Sequence, residues 1–149
     1  METNYFAAVA GTLAVLQGML ERRSGSIVNV SSDAARAPAP GEPAYSASKA
    51  ALSAFTEGMS YDAETKGVHL HVLYPGWVPT AMGQGAVDAG MALPPRSVRR
   101  TEEQVSRALL AGAGGRRFEI DVTRVARLAP VARALVPTIY RRALRAAGG

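Results

Sequence analysis

The sequence contains no cysteine, which excludes disulfides and every thiolate metal site. Histidine is nearly as scarce. His69 and His71 are the only two, and no third ligand stands at a recognisable spacing, so packed or hydrogen-bonded histidines are expected and not a metal centre. Aromatic residues make up 6%, with one tryptophan, Trp77. Lysine is rare as well: fifteen of the seventeen cations are arginine. The apolar stretch Tyr5–Leu20 is too short to span a bilayer and is broken by Thr12 and Gln17. No basic residue precedes it, so it makes a poor signal peptide. The expected compartment is the cytoplasm.

What is present is ordinary for one globular domain over residues 1–149: 48% hydrophobic and 19% charged residues, enough for a core. The net charge of +5 is uneven. Up to Pro95, five cations stand against eight acids; from Arg96, twelve arginines stand against Glu102, Glu103, Glu119 and Asp121. Such a stretch can signal nucleic acid or an anionic membrane. Here the arginines alternate with alanines and leucines, and no recognition motif accompanies them. Coding bias and solvated helix faces are expected, with neither nucleic acid nor membrane as partner.

The pattern along the chain alternates. Residues 2–23 predict a helix, with Arg22 and Arg23 in its last turn and Gly25 as its stop. Ser26–Val30 is a β-branched run that predicts a strand. Ala34–Glu42, with Pro38, Pro40 and Gly41, predicts a loop. Pro43 opens a long helix that reaches Lys66 and ends at Gly67. Val68–Tyr74 predicts a second strand and Gly76–Pro95 a long loop. Thr101-Glu102-Glu103-Gln104 starts a third helix with capping chemistry, Arg117–Val122 predicts a third strand, and 123–149 a basic helical segment interrupted by Pro130 and Pro137. This alternation means an α/β fold: a parallel sheet with helices on both faces.

Tyr45 and Lys49, four apart, share one helix face. An ammonium beside a phenol favours the phenolate, and a phenol so placed can give or take a proton near neutral pH. Ser31-Ser32 falls at the carboxyl end of the first strand and Pro75-Gly76 at that of the second. Ligands of open α/β sheets bind outside those ends, so three separate segments converge on one crevice. On the opposite face of the long helix, Ala47, Ala51, Ala54 and Gly58 form a small-residue stripe for close packing. Its partner is either the same helix of a second subunit or helix 2–23 of the same chain. Ser46-x-x-Lys49 also fits an acyl-transfer signature, but Ser32-Asp33-Ala34 and Lys66-Gly67 do not supply its companion motifs.

Four pieces in register resemble the short-chain dehydrogenase/reductase family: Asn4 in Asn-Tyr-Phe-Ala, Gly25–Ser32, Tyr45-x-x-x-Lys49, and Pro75-Gly76-x-Val78-x-Thr80. The resemblance covers most of residues 1–82 and implies a Rossmann-type doubly wound sheet, an NAD or NADP cofactor and a small alcohol or ketone substrate. It implies that Tyr45 is the general acid/base and that Lys49 assists it and holds the nicotinamide ribose. By the same resemblance Ser32 polarises the substrate oxygen, Asn4 anchors a relay water, and Pro75, Gly76, Val78 and Thr80 line the nicotinamide. Asn4 has a competing role as a helix cap. Residues 81–95 would form a substrate lid, whose Ala, Met, Val and Leu content points to an apolar substrate.

Two family features are missing from the 149 residues: the Thr-Gly-x-x-x-Gly-x-Gly turn and the Asn-Asn-Ala-Gly strand. Gly112-Ala113-Gly114-Gly115 is no replacement, because it precedes a strand instead of following one. The expected chain is therefore the C-terminal, catalytic half of such an enzyme, with about three strands. Its first strand would keep an open edge, and the chain alone would be a poor enzyme of marginal solubility. The alternative is a non-catalytic truncated fragment or pairing module. A homo-oligomer through helices 2–23 and 43–66 is expected in either case.

Overall fold

Leu70, Val72 and Leu73 are almost fully buried, and all three belong to one strand, β2 (Val68–Tyr74), whose bounds match the sequence prediction. They are seen in a computed structural model that describes residues 1–38, 40–90 and 93–147. Ala39 of the expected loop, Met91 and Ala92 of the expected lid, and Gly148-Gly149 of the C-terminal segment lie outside the described residues. β2 is central in a three-stranded sheet of order β1-β2-β3, where β1 is Gly25–Val30 and β3 is Glu119–Asp121. Both pairings are parallel, from Gly25↔Val68 to Val30↔Leu73 and from Val72↔Glu119 to Tyr74↔Asp121. A central parallel strand is covered on both faces, which is why β2 reads as a near-continuous apolar run.

Strand alternation assigns the two faces. Val68 and Leu70 pack with Leu16 of helix α1 (Ala7–Glu21) and Ala63 of helix α2 (Pro43–Thr65). Farther along the same face, Val72 and Tyr74 pack with Ala126 of helix α5 (Arg124–Leu135). Leu73 and its partner Ile120 point to the opposite face. There helix α4 (Glu102–Ala113) lies so close that a Cβ on Gly112 would come within 2.3 Å of the Ile120 side chain. The sheet is doubly wound, as the alternation predicts.

Several boundaries depart from the sequence reading. A single π-type turn, Glu2–Phe6, precedes α1, with the amides of Tyr5 and Phe6 both on the Met1 carbonyl. Helix α1 ends at Glu21, and its stop is Arg23, at φ 53°, not Gly25. The Arg23 amide returns to Leu20 and the Ser24 amide to Met19, a Schellman closure. Gly25 instead opens β1, where Met19 leaves no room for a side chain. Gly67 ends α2 as expected: its φ is +76°, and a Cβ there would sit 2.7 Å from the Arg23 carbonyl. The expected loop 76–95 contains helix α3 (Ala81–Asp88), capped by the Thr80 hydroxyl on the Gly83 amide. Thr101 and Gln104 form the expected capping box of α4. β3 is shorter than expected. Pro130 lies inside α5 without breaking it, whereas Pro137 does start a new helix, α6 (Pro137–Ala147).

The small-residue stripe of α2 faces outward. Ala47, Ala54 and Gly58 are exposed and Ala51 is half-buried, so packing of this stripe against α1 is ruled out. The π-type turn ahead of α1 meets α2 elsewhere: Tyr5 packs edge-on against Phe55. Thr12 and Thr56 both bond the buried side chain of Asn29 from β1.

Candidate active site

The end of β1 and the first turns of α2 are tied by polar contacts. Lys49 Nζ donates to the Val30 carbonyl at 2.9 Å. The buried Ser31 hydroxyl contacts the Lys49 carbonyl at 3.0 Å and the Ser53 hydroxyl at 2.8 Å. Burial pushes the Lys49 ammonium below its ordinary pKa, because desolvation disfavours the charged form. Tyr45 lies one helical turn before Lys49 and is half-buried. Asn4 is not a cap. It sits within the π-type turn and donates from Nδ2 to Ser48 Oγ at 3.3 Å, and Ser48 donates to the Tyr45 carbonyl at 2.7 Å. Asn4 is thus tied through Ser48 to the first turns of α2, which carry Tyr45 and Lys49.

Ser32 leads out of β1 and caps a short 3-10 turn, Asp33–Ala35, by accepting the Ala34 amide at 3.2 Å. Its hydroxyl keeps its own proton to donate. The turn is fixed from below. The Thr123 hydroxyl donates to Asp33 at 3.2 Å. Burial pushes the Asp33 carboxyl above the usual carboxylate range, against the opposing pull of that hydroxyl. Arg36 stacks on the Tyr74 ring, 3.5 Å from its centroid. It also pairs with Glu119 and, at 2.5 Å, with Asp121.

The second segment follows β2. Gly76 has φ +78°, and a Cβ there would meet the Thr123 side chain at 2.6 Å and the Val98 carbonyl at 2.7 Å; only glycine fits this turn. Trp77 is held by backbone bonds to Val98 and Arg100. The Val78 carbonyl accepts the Thr80 amide at 2.8 Å. Its second lone pair, and the proton of the Thr80 hydroxyl, stay available. A carbonyl acceptor beside a hydroxyl donor suits a carboxamide. Pro75, Gly76, Val78 and Thr80 form one continuous turn beyond the carboxyl end of β2, beside the Ser32 turn.

A model of short chain dehydrogenases matches residues 1–89. The chain belongs to this family. Dehydrogenase/reductase SDR family member 7B of Xenopus laevis is 34% identical over 146 residues, which is 94% of this chain and 45% of that protein. An uncharacterized oxidoreductase of Myxococcus xanthus is 43% identical over 82 residues, 55% of this chain and 32% of that one. Among solved structures, a short chain dehydrogenase from Burkholderia cenocepacia in complex with NADP superposes with a TM-score of 0.81 at 26% identity. It covers 97% of this chain and 56% of its own. The chain spans about half the length of the proteins it matches. The three-stranded sheet is the short-chain dehydrogenase version of the Rossmann fold over that half.

Sequence reasoning missed the groups that hold the site. Val30 and Ser31 stand within the Gly25–Ser32 motif without an expected role, and Ser48 lies between Tyr45 and Lys49, yet they position Lys49, Asn4 and α2. His71, by contrast, is structural: its Nδ1 lies 2.8 Å from the Arg117 carbonyl.

Proposed function

We propose that the chain carries the catalytic and nicotinamide-facing part of an NAD(P)-dependent oxidoreductase that interconverts an alcohol and a carbonyl. The observation that carries this reading is the placement of Lys49, one turn from Tyr45 and anchored to the last carbonyl of β1. The nicotinamide, when bound, supplies or accepts the hydride. Tyr45 gives a proton to the carbonyl oxygen in reduction and takes it back in oxidation. Lys49 spends one N–H on Val30 and keeps two for ribose hydroxyls. The free proton of Ser32 orients the substrate oxygen. Asn4, joined to α2 through Ser48, extends the proton route towards water. The Val78 carbonyl and the Thr80 hydroxyl fit the carboxamide.

Residues 81–95 serve as the substrate lid, with α3 as its rigid part and the exposed Met82 on it. An apolar alcohol or ketone suits that surface. NADP is bound by the Burkholderia structure, and a nicotinamide dinucleotide is the cofactor proposed here.

The test is nucleotide binding and turnover together. In a full-length version that also carries the glycine-rich turn, NADH or NADPH fluorescence should report binding at micromolar levels, and a panel of apolar ketones should be reduced. Tyr45→Phe should abolish turnover and spare binding. Turnover retained by that variant overturns the assignment.

A second reading is favoured by a different observation: the open edge of β1 and the outward Ala47, Ala54 and Gly58. In that reading the chain is a pairing module, and α1 and α2 join a second copy. Absence of nucleotide binding, with a dimer that Ala54→Arg disperses, would support the pairing module over the enzyme.

A further inference from the structure

The solvent face of α5 is not polar. Leu128 is 60% exposed, Val131 52% and Leu135 76%. Their spacing of three and then four places them on one stripe, away from the buried Ala126 and Ala129 that face the sheet. Beyond the helix, Val136 is 44% exposed and Ile139, on α6, 66%. On α6 the residues divide again: Arg141, Arg142 and Arg145 project from one side, and Ile139, Ala143 and Leu144 from the other. Six arginines and no acidic residue occupy 123–147. The ion pairs among the described residues involve none of the six. The sequence alone reads these arginines as solvated faces. Exposed leucines in a segment that holds six cations and no acid are a different object, because exposed apolar surface marks an interaction site.

We propose that α5 and α6 form a docking surface for anionic phospholipid, with Leu128, Val131, Leu135 and Ile139 entering the headgroup region and the arginines meeting phosphates. A basic amphipathic segment with an apolar stripe is what lies flat in an anionic interface. No helix among the described residues is long and apolar enough to cross a membrane, so the contact is one of lying on the surface. Charge selects this occupant over the others. A second copy of the segment would bring six more arginines against the first six, and the segment holds no acid to set between them. Nucleic acid would engage the arginines through its phosphates and leave the leucines unused. The proposal is independent of the oxidoreductase reading.

The test is co-sedimentation of the full chain with large vesicles. One set is phosphatidylcholine alone; the other is phosphatidylcholine and phosphatidylglycerol in equal parts. Binding to the second set only, weakened by salt, is expected. The double variant Leu128→Ser/Leu135→Ser should lose roughly tenfold or more in partition. Arg141→Gln and Arg142→Gln should each lose roughly fivefold. All four positions are exposed, and circular dichroism checks that each variant folds. Failure of the wild type to sediment with anionic vesicles overturns the proposal. So does equal sedimentation of the leucine variant. Self-association that the leucine variant abolishes, without vesicle binding, would assign the stripe to a second copy. Polyuridylate binding that the leucine variant leaves unchanged, again without vesicle binding, would assign the arginines to nucleic acid.

Discussion

Arg36 Nη1 lies 3.2 Å from the carbonyl oxygen of Ala126, the acceptor that Pro130 leaves without its helical donor. A proline inside a helix removes the bond to the residue four before it, and here a guanidinium from the Ser32 turn replaces that bond. The same side chain stacks on Tyr74 and pairs with Asp121. One arginine therefore closes α5, covers the end of β2 and fixes the turn that presents Ser32.

Arg36→Met should unfold the protein at lower urea, by about 3 kcal/mol, since it strands a half-buried Asp121 and the Ala126 carbonyl together. Pro130→Ala restores an amide donor and should stabilise by about 1–2 kcal/mol. In the Pro130→Ala background, Arg36→Met should cost about 1 kcal/mol less than alone. A double-mutant cycle by urea denaturation measures this coupling. Strict additivity would show that the Arg36 bond to Ala126 contributes nothing.

Asp33 gives a pH signature of the same turn. Burial raises its carboxyl pKa above the ordinary 3.8, so between the unfolded and the folded value the folded state holds a proton that the unfolded chain has released. Stability from this group is therefore present below the unfolded value and lost as pH rises through the folded one. Asp33→Asn keeps an acceptor for the Thr123 hydroxyl and removes the buried charge. The variant should be more stable than the wild type at neutral pH, and the gap should close on acidification into the carboxylate range. Denaturation curves across that range decide it; a gap that widens with acid contradicts the raised pKa.

The motifs were legible in the sequence because each sits where an element stops. Gly67 and Pro75 bracket β2, Pro43 opens α2, and the Thr101 box opens α4; local chemistry fixes all of these ends. Helix α3 was not legible. Gly83 and Gly85 argue against a helix at about 1 kcal/mol each. The reason for Gly83 is tertiary: a Cβ there would fall 2.4 Å from the Val78 carbonyl. The capping Thr80, three residues ahead, was the signal available. Pro130 misled for the same reason, since the arginine that compensates for it lies ninety positions before the Ala126 carbonyl it bonds. The Arg23 stop was hidden by Gly25, whose smallness serves Met19 and not the turn.

Asn29 carries the polar joint between β1 and the two helices. It is 7% exposed and bonds Thr12 at 3.2 Å and Thr56 at 2.9 Å. Asn29→Ala should cost about 2–3 kcal/mol through lost hydrogen bonds and a cavity. Thr56→Val loses the hydroxyl bonds to Asn29 and to the Leu52 carbonyl, but it keeps the side-chain volume and leaves Asn29 its bond to Thr12, so it should cost less than Asn29→Ala. Urea denaturation of the two variants tests the order, and the reverse order would place the joint's weight on the helices.

Lys49 separates stability from chemistry. Burial lowers its pKa from an ordinary 10.5, so the fold carries a cost for the charged form at neutral pH. As pH rises from the folded value towards the unfolded one, the unfolded state holds the extra proton and that cost is relieved. The wild type should gain stability relative to Lys49→Met across this alkaline window. At neutral pH, Lys49→Met loses the bond to Val30 but also the buried charge, and the two effects oppose. Its melting temperature should stay close to that of the wild type. Nicotinamide-dependent turnover, by contrast, should fall by about 10²-fold or more, because proton transfer at Tyr45 loses its cationic neighbour. Thermal melts at neutral and alkaline pH, read beside turnover, check both halves. A variant that melts early and loses turnover in proportion would make Lys49 a structural tether and leave Tyr45 without the partner that its role requires.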